Sequence, residues 1–133
     1  MSKNMPASGG KKILIVEDDT ILLSTLADKL TEDGFKVIEA RDGEEGLAAA
    51  RREHPDLILL DIIMPKMDGV TMLKKLRQDK TCLATPVILL TNLGYDHEVE
   101  EAMRHGVYDF LVKANWKLED VTAKVRERLE NTK

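Results

Sequence analysis

Three uninterrupted apolar runs, Ile13–Val16, Leu57–Leu60 and Val87–Leu90, constrain this chain more than any other feature. Each is too short for a helix, and none has a polar residue on either face. A strand of that kind needs helices over both sides, as in a parallel sheet. Segments of helical length separate the runs. From Lys11 onward the chain therefore alternates strand and helix, the pattern of an α/β domain.

The periodicity places the other elements. A first helix begins near Thr20, with Leu22, Leu26 and Leu30 on one face, Leu23 and Ala27 beside them, and Gly34 as its C-cap. Phe35, Val37 and Ile38 form a shorter, half-exposed second strand. Asp42-Gly43 turns into an alanine-rich helix over 44–52, which His54-Pro55 stops. A loop over 62–69 leads to a third helix with Val70, Leu73 and Leu76 inward. The fourth helix, 96–104, is thinly apolar, with Val99, Ala102 and Met103 as its stripe. Gly106 closes it. A fifth strand, Val107 to Val112, is interrupted by Asp109. The last helix carries Leu118, Val121, Val125 and Leu129 on one face. The second and fifth strands hold charge, as sheet edges do. With right-handed crossovers, the expected fold is a flavodoxin-like doubly wound (βα)5 arrangement of strand order 2-1-3-4-5, with its switch point between strands one and three. Residues 1–10 read as a mobile polar tail and 11–133 as one domain.

Composition narrows the function. A net charge of -4 and a pI near 5.4 leave no basic footprint, which argues against nucleic-acid binding by this chain. No apolar run approaches the roughly 18 residues that span a bilayer. There is no signal-peptide stretch, and the single cysteine, Cys82, has no internal partner. A cytoplasmic location follows as an expectation. The chain ends about one turn beyond the last apolar stripe, so output is expected through another protein rather than an attached domain.

In a parallel sheet the carboxyl ends of the strands share one edge, and what stands there is reactive. The first strand runs into Glu17-Asp18-Asp19, the third into Asp61, the fourth into Thr91 and the fifth into Lys113. Crowded carboxylates repel, and a hard divalent cation relieves them. Glu17, Asp18 and Asp61 fit that task, whereas Asp19 is better read as a helix cap. Asp61 can accept a phosphoryl group. Lys113 can neutralise it, and Thr91 can donate a hydroxyl. Singly, a strand-end lysine is a solvated terminus and a strand-end threonine a cap; the combination carries the signal.

On these residues the chain resembles the receiver domains of two-component response regulators, from Lys12 to about Arg128. The resemblance rests on Ile13-Leu-Ile-Val-Glu-Asp-Asp19, on Pro55 through Gly69 with Asp61, Met64-Pro65 and Asp68-Gly69, on Pro86 through Thr91 and on Phe110-Leu-Val-Lys113. It implies that Asp61 is the phosphoacceptor. Mg²⁺ would be held by Glu17, Asp18, Asp61 and the backbone carbonyl of Ile63. Thr91 and Phe110 would be the switch pair and Lys113 the essential lysine. It further implies a switch that catalyses its own phosphorylation and dephosphorylation rather than an enzyme acting on a separate substrate. The donor would be a sensor histidine kinase or a histidine phosphotransfer protein. The output surface would lie on the fourth helix, fifth strand and last helix.

Three positions depart from the family pattern. Ala114 replaces the usual proline after the lysine. Because a cis bond without proline costs roughly 3 kcal/mol, a trans Lys113–Ala114 peptide is expected. Asn92 stands where a small residue is usual, and Ile63 has no polar side chain to hold an attacking water. Other readings of the topology fare worse. A flavin binder needs a phosphate-cradling loop after the first strand, where Glu17-Asp18-Asp19 would repel a phosphate. A phosphohydrolase commonly has a second acid two residues past the nucleophile, where Ile63 stands. A receiver-like scaffold that is never phosphorylated would not need Asp61, Thr91 and Lys113 together. Phe110, without the resemblance, reads as core. The three histidines show no ligand spacing, and Trp116 reads as a lid on the loop before the last helix.

Overall fold

A computed structural model of the chain describes residues 10–92, 97–114 and 116–130. Strands β1 (Lys12–Val16), β2 (Lys36–Ala40), β3 (Leu57–Asp61), β4 (Val87–Thr91) and β5 (Val107–Val112) alternate with helices α1 (Thr20–Glu32), α2 (Gly43–Glu53), α3 (Gly69–Gln78), α4 (His97–Met103) and α5 (Leu118–Glu130). The strands form one parallel sheet in the order β2-β1-β3-β4-β5. Both the expected order and the expected edges are present. The fully apolar runs occupy the centre because only there do helices cover both faces.

Alternation along the strands divides the core in two. Leu14, Val16, Ile58, Leu60, Val87 and Leu89 face α2, α3 and α4, where they meet Leu47, Ala50, Met72, Leu73, Leu76, Val99 and Ala102. Ile13, Ile15, Leu57, Leu59, Ile88 and Leu90 face α1 and α5, and meet Leu23, Leu26, Leu30, Val121 and Val125. Burial of this apolar surface is the main driving force for the fold.

Helix ends follow the local chemistry. Asp19, Asp42 and Asp68 cap α1, α2 and α3, each accepting backbone N–H bonds from the first turn. Gly34 has a φ of 98°, the left-handed conformation that a side chain disfavours, and releases the chain from α1 into β2. In α3 the buried residues are Met72, Leu73 and Leu76, while Val70 is only partly buried. Met72 is thus a core residue that the simple stripe omitted, since the helix is flanked by two neighbours and buries a wider arc. In β5 the pairing skips from Val107 to Asp109 opposite Val87 and Ile88, which places an irregularity where the charged residue interrupts the run. The first expected residue of the fourth helix, Asp96, lies outside the described residues, as do residues 1–9 of the expected tail.

A short 3-10 turn, Lys80–Cys82, follows α3 and was not foreseen. It is tied in place by Arg77. The guanidinium donates to the carbonyls of His105 at 2.7 Å, Cys82 at 2.9 Å, Gly106 at 3.1 Å and Leu83 at 3.2 Å. One planar donor fork thereby joins the end of α3 to the segment between α4 and β5. No helix among the described residues is long and apolar enough to cross a membrane.

Replacing Arg77 by Met leaves those carbonyls without their donor. The expected loss is about 1–3 kcal/mol of unfolding free energy, the cost of unsatisfied partly buried polar groups. Lysine should recover little, because one ammonium cannot span the fork. Urea midpoints of wild type, Arg77→Met and Arg77→Lys test this, and equal midpoints would refute it.

Candidate functional site

The sheet edge assembles the site through backbone pairing that continues past the strands. The N–H of Glu17 donates to Ala40 O at 3.0 Å, that of Ile62 to Leu90 O at 3.3 Å and that of Lys113 to Thr91 O at 2.6 Å. Each bond fixes the height of a strand-end residue. In register, Asp61 stands opposite Leu90 and Thr91 opposite Val112. Glu17, Asp61 and Thr91 are buried, Lys113 is half-buried and Asp18 is exposed.

The acidic residues divide into two roles. Oxygens of Glu17, Asp18 and Asp61 all lie within 4.8 Å of one another. Asp19 is excluded from that group by its own bonds. Its carboxylate caps α1 at Ile21 N (3.0 Å) and Leu22 N (3.1 Å), and its N–H donates to Glu17 Oε2 at 3.0 Å. Asp19 is a helix cap, as expected.

Lys113 reaches the cluster from β5. Its Nζ lies 2.8 Å from Glu17 Oε1 and 3.2 Å from Asp61 Oδ1. The 2.8 Å contact pairs opposite charges, and Glu17 Oε1 is buried with no other polar partner among the described residues. It is therefore an ion pair, and a wholly buried carboxylate oxygen retains capacity for a further partner. The Lys113–Ala114 peptide is trans, as expected.

The electrostatics follow from crowding. Burial raises the pKa of Asp61, and the Glu17 charge and a hydrogen bond with Asp18 raise it further. Lys113 opposes them, and the carboxyl is pushed up to about 7. Burial pulls the Lys113 ammonium down, but Glu17 and Asp61 outweigh burial and hold its pKa above the ordinary lysine range. One cation faces two buried carboxylates and a third at the rim. The set carries an excess of hard oxygen donors and negative charge, which a divalent cation fits.

The remaining predicted residues differ in their surroundings. The side chain of Ile63 is exposed, as is Asn92. Phe110 is half-buried and packs with the α2, α3 and α4 side of the core. Trp116 packs partly buried against the α1 and α5 side, in keeping with a lid. One contact near the site was not anticipated: the start of α2 touches the loop that follows Asp61, with Gly43 N donating to Met67 O at 3.0 Å. Asp42-Gly43 reads in sequence as a turn and cap, with nothing to say which distant carbonyl it meets.

A carboxyl with a raised pKa makes the fold sensitive to pH. The unfolded Asp61 titrates near 3.8 and the folded one near 7. Between those values the folded chain holds a proton that the unfolded chain has lost. That contribution to stability falls as pH rises through the window, and above about 7 burying the carboxylate only costs. With divalent cations chelated, Asp61→Asn should melt above wild type near pH 8, and the difference should narrow toward about pH 5. A difference independent of pH would assign the raised pKa to another group.

A family model described as the response regulator receiver domain matches residues 13–126. The alkaline phosphatase synthesis transcriptional regulatory protein PhoP of Bacillus subtilis is 37% identical over 122 residues, which is 92% of this chain and 50% of the relative. The chain spans about half the length of the first curated relatives it matches. Among solved structures, the receiver domain of the Francisella response regulator 1452 aligns with a TM-score of 0.83 at 30% identity, covering 92% of this chain and 99% of that one. The receiver domain of the sensor histidine kinase PA1611 of Pseudomonas aeruginosa PAO1 aligns with a TM-score of 0.83 at 25% identity, covering 92% and 99%. That structure has a magnesium ion coordinated in its active site cleft. The site and these likenesses agree: the chain belongs to the response regulator receiver domain family.

Proposed function

We propose that this receiver domain is a phosphorylation switch in which Asp61 takes a phosphoryl group from a phosphohistidine of a sensor histidine kinase or a histidine phosphotransfer protein. The observation that carries the reading is the shared position of Lys113, whose ammonium meets Glu17 at 2.8 Å and Asp61 at 3.2 Å. An Asp61 oxygen attacks phosphorus, the P–N bond to imidazole breaks, and the donor nitrogen leaves with the bond's electron pair. The product is an acyl phosphate on Asp61.

Transfer of this kind rests on positioning and charge neutralisation. Glu17, Asp18, Asp61 and the backbone carbonyl of Ile63 would hold Mg²⁺. When bound, Mg²⁺ supplies positive charge for the acceptor carboxylate and the phosphoryl oxygens. Lys113 adds positive charge beside Asp61 and opposes the burial and the Glu17 charge that raise its pKa. Thr91, buried at the end of β4, offers its hydroxyl to the phosphoryl group. Asp61 is only 3% exposed at the end of β3. Ile63 has no group to orient an attacking water, which favours a persistent rather than a rapidly hydrolysed acyl phosphate.

Output then passes by protein contact or by onward relay. The face of α4, β5 and α5 is the surface for contact. There Lys124 Nζ meets Asp109 at 2.8 Å, the Tyr108 hydroxyl donates to Glu127, and Arg128 lies over the Tyr108 ring at 5.6 Å. The packing of α4 supports its role as the responsive element. Its buried side chains are Val99 and Ala102, and elements with few buried apolar side chains open most readily.

Intact mass measured after incubation with a small-molecule phosphodonor and Mg²⁺ tests the acceptor. Wild type should gain one phosphoryl group and Asp61→Asn none, while Glu17→Gln combined with Asp18→Asn should slow the gain by about tenfold or more. An adduct on Asp61→Asn would overturn the assignment.

Phosphorylation should alter α4 and its flanks more than α1 or α2. Thr91→Ala should uncouple that change while leaving the acyl phosphate intact, because a ligand biases two states only through its differential interactions. Amide exchange with and without a stable phosphoryl mimic measures both, and protection changes centred on α1 or surviving in Thr91→Ala would contradict the switch.

A further inference from the structure

Beyond the residues that face the cation, the loop between β3 and α3 is held from outside the site. It carries Ile63 and returns to the sheet at Gly69. There Gly69 N donates to Ile62 O at 2.7 Å, and a Cβ on Gly69 would stand 2.3 Å from Asp61 O. That contact closes the base of the loop. Its far end is held by α2. Gly43 N donates to Met67 O at 3.0 Å, and a Cβ on Gly43 would stand 2.2 Å from that oxygen and 2.8 Å from Met67 C and Cβ. The neighbouring Asp42 is buried. Its Oδ1 caps α2 by accepting from Glu45 N at 2.9 Å, and its Oδ2 lies 3.8 Å from Lys66 Nζ. Lys66 itself has a φ of 67°, the left-handed region that a lysine enters only under constraint.

We propose that Asp42 and Gly43 are positioning residues for the cation site: the start of α2 fixes the Lys66–Met67 end of the loop and so holds the Ile63 backbone in place for the ion. This rests on the reading that Glu17, Asp18, Asp61 and the Ile63 carbonyl bind Mg²⁺. Gly43 is not in a left-handed conformation, so alanine suits its backbone and favours the helix. What obstructs a side chain there is Met67, at its carbonyl and its Cβ. The loop must yield, since Gly43 is built into the first turn of α2.

A second glycine of the same helix provides the contrast. A Cβ on Gly46 would stand 2.9 Å from Met72 Sδ and from both Val16 Cγ atoms. Gly46→Ala therefore strains core side chains without touching the loop. Removing an outer support from a metal site commonly costs about tenfold or more in affinity.

The test is Mg²⁺ affinity by isothermal titration calorimetry on the full chain, beside thermal unfolding in chelator. Gly43→Ala should weaken Mg²⁺ binding about tenfold. Gly46→Ala should leave it within about twofold, even where it lowers the melting temperature as much or more. Asp42→Asn keeps the cap acceptor but removes the charge facing Lys66. It should weaken Mg²⁺ binding severalfold and speed amide exchange over residues 62–69, and it decides the matter if Gly43→Ala does not fold. Wild-type affinity in Gly43→Ala, or in Asp42→Asn where Gly43→Ala does not fold, overturns the positioning role. Equal losses in Gly43→Ala and Gly46→Ala do so as well, since they would reflect stability alone. If wild type itself binds no Mg²⁺, the cation reading fails, and the positioning role with it. If wild type binds Mg²⁺ and gains phosphate but Gly43→Ala matches it, only the positioning role is lost.

Discussion

The ammonium of Lys113, set between Glu17 and Asp61, is the interaction on which this site depends. Two carboxylates buried side by side could not both stay ionised without a compensating charge. The cation comes from an edge strand, so its placement requires β4 to lie between β3 and β5 and the Lys113 N–H to pair with Thr91 O at 2.6 Å. Sheet order, strand register and local charge are thus one problem with one solution. The compensation is incomplete. Asp61 remains pushed up to about 7 and Asp18 adds a further charge at the rim. That deficit suits the acidic cluster to a divalent cation.

The packing is graded around this centre. Apart from Lys12 the three inner strands are buried and covered on both faces, while every residue of β5 is partly exposed and α4 buries little. Asp61 and Glu17 therefore stand on the most deeply buried part of the sheet. The side bearing Thr91, Phe110 and Lys113 borders the least firmly held part. Arg77 limits that looseness by fixing the carbonyls just beyond α4.

What could be read in the sequence was whatever depends on short-range pattern. Apolar runs without polar interruption marked the inner strands. The charged Lys36 and Asp109 marked the edges, and the residues following each run marked the site. Asp19 was separable from Glu17 and Asp18 because a helix had to begin there. The unforeseen features are contacts between residues distant in sequence and unremarkable in composition. Arg77 has no sequence signature that marks it, although it bonds carbonyls of two segments distant from each other in sequence. Gly43 looked like a turn residue, although its missing side chain admits the carbonyl of Met67. Met72 fell outside the narrow stripe because α3 packs between α2 and α4. In each case the sequence shows the donor or the gap, and only the tertiary arrangement shows its partner.

The passage from β1 into α1 has no slack, and this limits how the chain can vary in length. Glu17 is fixed by its bond to Ala40 O, Asp19 caps the helix, and Asp19 N–H is bound to Glu17 Oε2. Inserting or deleting one residue there would rotate α1 by about 100° relative to the sheet. Leu23, Leu26 and Leu30 would leave the core, and exposed Ile21 would turn toward new neighbours. The acidic cluster and the helix phase are therefore set by the same short stretch of chain, so changes of length that other connections could absorb are closed to this one.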